Sequence, residues 1–224
     1  MGGECIRKIP EHKQHSAVEN WVYRNTVEPV LPWFAKHFSA NAITGAGMAV
    51  GVGSLAAAYT GYYPCAALGT LLKTWLDYVD GPVARCTGTV SKVGDWLDHV
   101  SDWVFYVPMG ILLFARISPR FRAVYTVLLG VIVLGFLVSF GCQEKYFNAD
   151  KSSPSVAFTR CLCPSERVHT IVQRAELTDV TVSLFYFAVL MALSQKMPPV
   201  KQNEPRGAAE AGPQSREGAR WRNV

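Results

Sequence analysis

The chain has 224 residues, half of them apolar, with only 17% charged and a mean hydropathy of +0.13. That balance excludes an ordinary soluble domain and points to a membrane protein of one domain with no second globular module. The net charge of +5 comes from basic residues spread along the chain, so it marks no nucleic-acid surface, and no nucleic-acid partner is expected.

Residues 1–14 are polar and read as loose. No cleavable signal peptide is expected, because the first forty residues carry no uninterrupted apolar core. From His15 to Phe38, Val18, Trp21, Val22, Val30, Leu31, Trp33 and Phe34 alternate with Glu19, Arg24, Glu28 and Lys36. That pattern predicts an amphipathic helix lying at the bilayer interface, broken near Pro32, with its tryptophans at headgroup depth. A soluble cap packed against the bundle is the alternative.

The first span runs from Ala40 to Tyr59. Its glycines, Gly45, Gly47, Gly51 and Gly53, resemble a dinucleotide fingerprint only superficially. No strand precedes them, and small residues in a membrane helix serve close helix packing. A second span covers Tyr62 to Val79 and carries Lys73 and Asp77 near its end; Pro82, after Gly81, should end or kink it. A third begins near Gly94 and becomes fully apolar from Trp103 to Ala115. A basic hairpin, Arg116 to Arg122, leads to a fourth, Ala123 to Phe140, and the last is Val180 to Leu193. Between Gly141 and Asp179 no window is apolar enough to span. This region is either a short helix sheltered in the bundle or an extramembrane elaboration.

The tail from Lys196 reads as disordered. Six cysteines are too scattered to make a disulfide framework, and Cys161-Leu162-Cys163 lacks the spacing of a zinc knuckle. The expected architecture is an all-α, polytopic membrane bundle of roughly five to six transmembrane helices with an N-terminal interfacial helix. Its divisions are 1–38, 39–195 and 196–224.

The informative stretch is Asp77 to Asp102. On a helix, Asp77 and Asp80 lie one turn apart on one face, as do Asp98 and Asp102 on another. Two helices antiparallel about the short loop between them bring four carboxylates together. Like charges that close repel unless cations sit among them, and hard oxygen donors select Mg²⁺ or Mn²⁺ over Zn²⁺.

Written as D-x2-D-G-x2-A-R-x8-G-x3-D-x3-D, residues 77–102 resemble the signature of the CDP-alcohol phosphatidyltransferase family at every fixed position. The resemblance implies an integral-membrane enzyme of phospholipid biosynthesis. It would move a phosphoryl-linked group from a CDP-linked lipid or alcohol donor to an acceptor hydroxyl, with release of CMP. It implies a two-metal site of Mg²⁺ or Mn²⁺ held by Asp77, Asp80 and Asp98, with Asp98 bridging. Asp102 would be the general base, with a share in the second ion. Gly81, Ala84 and Gly94 would let the nucleotide approach the backbone, and Arg85 would offer a planar donor fork to phosphate. Asn41, Thr44 and Ser91 would also lie near the nucleotide.

Beyond substrates, the expected partners are the bilayer and a second copy of the chain as a homodimer. The site is expected to face the cytosol, because a water-soluble CDP group must reach it. The membrane would be the endoplasmic reticulum in a eukaryote and the inner membrane in a bacterium. The basic Arg116–Arg122 hairpin on the opposite side runs against the positive-inside tendency. Two cues to the substrate disagree. Asp98-His99-x-x-Asp102 is similar to the choline and ethanolamine group, whereas the short chain is more like phosphatidylinositol and phosphatidylglycerophosphate synthases. The reading from another class is a cation transporter or channel using the carboxylates as an ion path. It requires acidic residues across several spans, and Trp103 to Phe140 and Val180 to Leu193 have none.

Overall fold

The computed structural model describes residues 16–146 and 157–195, all-α among those residues. The early segments thought loose, the end of the tail reading and part of the 141–179 region lie outside them. The helices are α1 (Ala17–Val22), α2 (Leu31–His37), α3 (Ala40–Thr60), α4 (Tyr63–Thr87), α5 (Lys92–Arg116), α6 (Pro119–Tyr146), α7 (Glu166–Arg174) and α8 (Asp179–Ser194). A π-helical turn, Tyr23–Val27, follows α1, and a 3₁₀ segment, Ala157–Leu162, precedes α7.

Antiparallel pairing of α3, α4 and α5 follows from two tight turns. Gly61 (φ 89°) closes α3 and Gly88 (φ 67°) closes α4, both left-handed positions where a side chain would be strained. α3 and α4 then meet through small residues: a Cβ on Gly69 would lie 2.8 Å from Ser54 Cβ. Ser54 Oγ donates to the Ala66 carbonyl at 2.7 Å. Gly47 and Gly51 face Leu76 and Phe105, so these two glycines of the first span let neighbouring helices approach closely.

α8 lies against α4 and α5. Thr74, Tyr106 and Ser183 form a buried hydroxyl triangle with separations of 3.0, 2.7 and 2.9 Å. Below it sits the main core of Ala58, Tyr63, Ala67, Phe105, Met109, Leu113, Tyr125, Val182, Tyr186 and Leu190. Outward-facing Val104, Val107, Ile111, Val124, Val127, Val131 and Leu134 are exposed, the reverse of a water-soluble surface. Three stretches, Ala40–Thr60, Pro119–Tyr146 and Glu166–Ser194, are long and apolar enough to cross a membrane. α4 and α5 have the length, 25 residues each, but gather charge at one end.

The structure refines several expectations. The break expected near Pro32 is present, since the π-helical turn ends at Val27 and α2 starts at Leu31 with Pro32 in its first turn, where no N–H bond is lost. α4, by contrast, does not end at Pro82 but runs on to Thr87; the stop signal is Gly88. α5 begins at Lys92, ahead of the start expected near Gly94, because Ser91 caps it, its Oγ accepting from the Gly94 N–H at 3.0 Å. Of the two expectations for the region after Gly141, the described residues show a short helix, α7, packed on the end of α6. α6 continues to Tyr146, and the 3₁₀ segment and α7 pack on its end. A Cβ on Gly141 would fall 2.1 Å from the Thr159 carbonyl oxygen. A Cys142–Cys163 disulfide staples the unit to α6, which overturns the expectation that the cysteines form no bridge.

The N-terminal helices dock on the acidic end of the bundle. Val27, Leu31, Ala40, Ile43, Val79 and Val83 form a second core there. Glu176, at φ 56°, caps α1 by accepting from Ser16 Oγ at 2.6 Å and the Ala17 N–H at 2.7 Å. Buried Glu19 reaches the Tyr78 hydroxyl at 3.1 Å, and Asp179 reaches the same hydroxyl at 2.7 Å. One hydroxyl proton cannot serve both carboxylates. Burial, and then the nearby Asp179, push Glu19 well above the usual carboxylate range, so Glu19 keeps a proton of its own.

A carboxyl raised in this way binds its proton more tightly in the folded chain than in the unfolded one. Its contribution is complete below the unfolded pKa and is lost as pH rises through the folded one. The thermal midpoint in detergent should therefore fall as pH rises past the ordinary carboxylate range. Glu19→Gln, neutral throughout, should flatten part of that fall; a slope equal to wild type's would contradict the assignment.

Candidate metal and nucleotide site

Two helix ends build the site. α4 brings Asp77 and Asp80 to its last turns, and α5 brings Asp98 and Asp102 into its first. Asp77, Asp80 and Asp98 each offer one carboxylate oxygen, all within 4.8 Å of one another. Asp80 is buried and accepts from Thr44 Oγ1, 2.6 Å away on α3. Asp98 Oδ1 is buried and has no hydrogen-bond partner among the described residues. An orphaned carboxylate oxygen beside two others is costly without a cation. Oxygen-only donors around a space of that size fit a hard divalent ion.

Asp102 lies one turn further along α5 and is engaged differently. One of its oxygens contacts Lys73 Nζ, which is also 3.4 Å from Asp77 Oδ1. The Lys73 side chain is only 1% exposed. This lysine was not expected in the site. The available signal was a lone cation in an apolar span, four residues before Asp77 on the same helix face.

The residues assigned to the nucleotide divide into two groups. Asn41, Ser91 and Gly94 meet at the mouth: a Cβ on Gly94 would lie 3.2 Å from both Asn41 Oδ1 and Ser91 Oγ. Thr44 is instead committed to Asp80. Gly81 makes room for Arg85, since a Cβ there would sit 3.4 Å from Arg85 Nη1. Arg85 lies within electrostatic reach of Tyr23 and Asp80, and Ala84 packs on the second core. His99 Nδ1 is 2.7 Å from the Asp95 carbonyl oxygen, and its ring meets Phe140 edge-on at 5.7 Å. Those contacts join α5 to α6 beside the site.

Three carboxylates converging from α4 and α5, with a fourth one turn further along α5, make an oxygen-only site of the class that holds a hard cation against phosphate groups. Residues 37–197 match the CDP-alcohol phosphatidyltransferase family, and the chain belongs to it. It is a transferase of substituted phosphate groups. No curated protein and no solved structure matches the chain.

Thr44 orients Asp80 through one hydrogen bond, the kind of supporting contact whose loss typically costs about 10–100-fold in metal affinity. Thr44→Val should weaken Mn²⁺ binding to that extent while leaving the helical content unchanged. Unaltered Mn²⁺ affinity would show that Asp80 needs no such support.

Proposed function

We propose that this protein transfers a phosphatidyl or related phosphoryl-linked group from a CDP-linked donor to the hydroxyl of an acceptor alcohol in a lipid bilayer. The observation that carries the reading is the convergence of carboxylate oxygens of Asp77, Asp80 and Asp98 within 4.8 Å of one another, together with a buried Asp98 oxygen that has no hydrogen-bond partner among the described residues. These three would hold Mg²⁺ or Mn²⁺. When bound, the ion would neutralise the donor's phosphates and the charge that builds on the departing oxygen.

The chain's own residues do the rest. Asp102 takes the proton from the acceptor hydroxyl. The acceptor oxygen forms a bond to the donor phosphorus as the bond from that phosphorus to the CMP oxygen breaks. Arg85 steers the phosphates, and a fork of donors fits that task better than a point charge. Asn41, Ser91 and Gly94 would lie near the nucleotide; a side chain on Gly94 would crowd Asn41 and Ser91, at 3.2 Å from each.

The orientation has two pulls. The disulfide Cys142–Cys163 lies at the same end of the bundle as the carboxylates, and disulfides persist in oxidising compartments. The donor's CDP group and the CMP product are water-soluble nucleotides, which favours a cytosolic face, and the proposal follows the nucleotide.

The test is CMP release by detergent-purified protein, offered CDP-diacylglycerol, CDP-choline and CDP-ethanolamine with a panel of acceptors. Release should require Mg²⁺ or Mn²⁺ and stop with chelator. Asp102→Asn should bind the donor within a few-fold of wild type yet lose roughly 10²–10⁴ in turnover, the usual span for a missing general base. Full turnover in metal-free buffer would overturn the reading. Loss of donor binding in step with rate would move Asp102 from base to ligand.

A further inference from the structure

We propose that Lys73 stands in the place of a second cation, so that this chain takes a single divalent ion at Asp77, Asp80 and Asp98. Asp102 is thereby kept out of the ion's ligand set and held as the base. The inference rests on the metal-dependent reading above and changes its stoichiometry.

The geometry carries it. A second ion shared by the deeper pair of carboxylates would have to lie between Asp77 and Asp102. Lys73 Nζ already fills that gap, touching Asp102 and 3.4 Å from Asp77 Oδ1. A divalent ion needs its ligands about 2.0–2.6 Å away, so it would have to take the same oxygens and stand against the ammonium charge. At such separations two cations repel by several kcal/mol even at an effective dielectric of about 20.

Nor can the lysine withdraw. Its Nζ is 5.0 Å from the Tyr106 ring centroid, whose face favours the charge. Apart from Ser101, the groove on its other side is lined by apolar residues, among them Val52, Leu55, Val104 and Phe105. An ammonium moved there would exchange two carboxylates for at most one hydroxyl, which is far costlier than its present pairing. Lys73 is thus a positioning residue. It fixes the carboxylate of Asp102 one turn away from the three metal-facing oxygens and supplies the positive charge that part of the site needs.

The decisive measurement is a count of bound Mn²⁺, followed by electron paramagnetic resonance on the detergent-purified full chain with saturating CDP. Wild type should bind one ion per chain, and so should Lys73→Arg. Lys73→Met, which removes the charge but keeps the length, should bind two. Asp98→Asn should lose the ion in either background, which identifies the counted ion with this site. If Lys73→Met does not fold, Lys73→Gln repeats the count, and the wild-type number stands by itself. Two ions in wild type, or one in both neutral variants, would overturn the proposal. No ion in wild type would refute the metal-dependent reading beneath it, a result distinct from either of those.

Discussion

Carboxylate repulsion governs this structure. Four aspartates on two adjoining helices, three of them with oxygens within 4.8 Å of one another, would drive α4 and α5 apart if nothing offset their charge. The fold answers at three depths. At the mouth, Arg85 lies within reach of Asp80. In the middle Thr44 donates to Asp80, and Asp98 keeps an oxygen with no hydrogen-bond partner among the described residues. At the deepest turn Lys73 joins Asp77 to Asp102. The middle layer is the one the polypeptide leaves incomplete, and it is there that a divalent ion belongs.

The scaffold explains why such an arrangement survives in an apolar bundle. Antiparallel α3 and α4 are drawn close by Gly47, Gly51 and Gly69, and α8 closes the third side through hydroxyls on Thr74, Tyr106 and Ser183. Helix association in lipid depends on such close packing and interhelical hydrogen bonds, because apolar burial alone offers little there. The N-terminal helices seal the acidic end by a different device. Glu19 and Asp179 share the hydroxyl of Tyr78, which lies between Asp77 and Asp80 in sequence, so the N-terminal segment is tied to the same stretch of α4 that carries these aspartates.

The parts of this that could be read from the sequence are the local ones. Spacings of three and four residues place Asp77 with Asp80 and Asp98 with Asp102 on shared faces whatever the rest of the chain does. The apolar runs likewise announced α3, α6 and α8. What escaped depended on which helices become neighbours. Lys73 belongs to the site only because α5 presents Asp102 to it, and Thr44 serves Asp80 only through the α3–α4 register. The bridge from Cys142 to Cys163 follows from the 3₁₀ segment folding back on Gly141. The end of α4 was expected at Pro82 and comes at Gly88 instead, because a helix that is packed on its neighbours runs through the proline until a glycine can close it.

The central claim is that α4 and α5 together hold a divalent ion at Asp77, Asp80 and Asp98. Its most direct test is an anomalous-scattering map from crystals of the detergent-purified protein grown with Mn²⁺ and CDP. The account predicts a manganese peak ligated by oxygens of all three aspartates, with the nucleotide phosphates beside it and Arg85 turned towards them. A peak elsewhere, or an acidic end empty of manganese with the nucleotide bound, would contradict it.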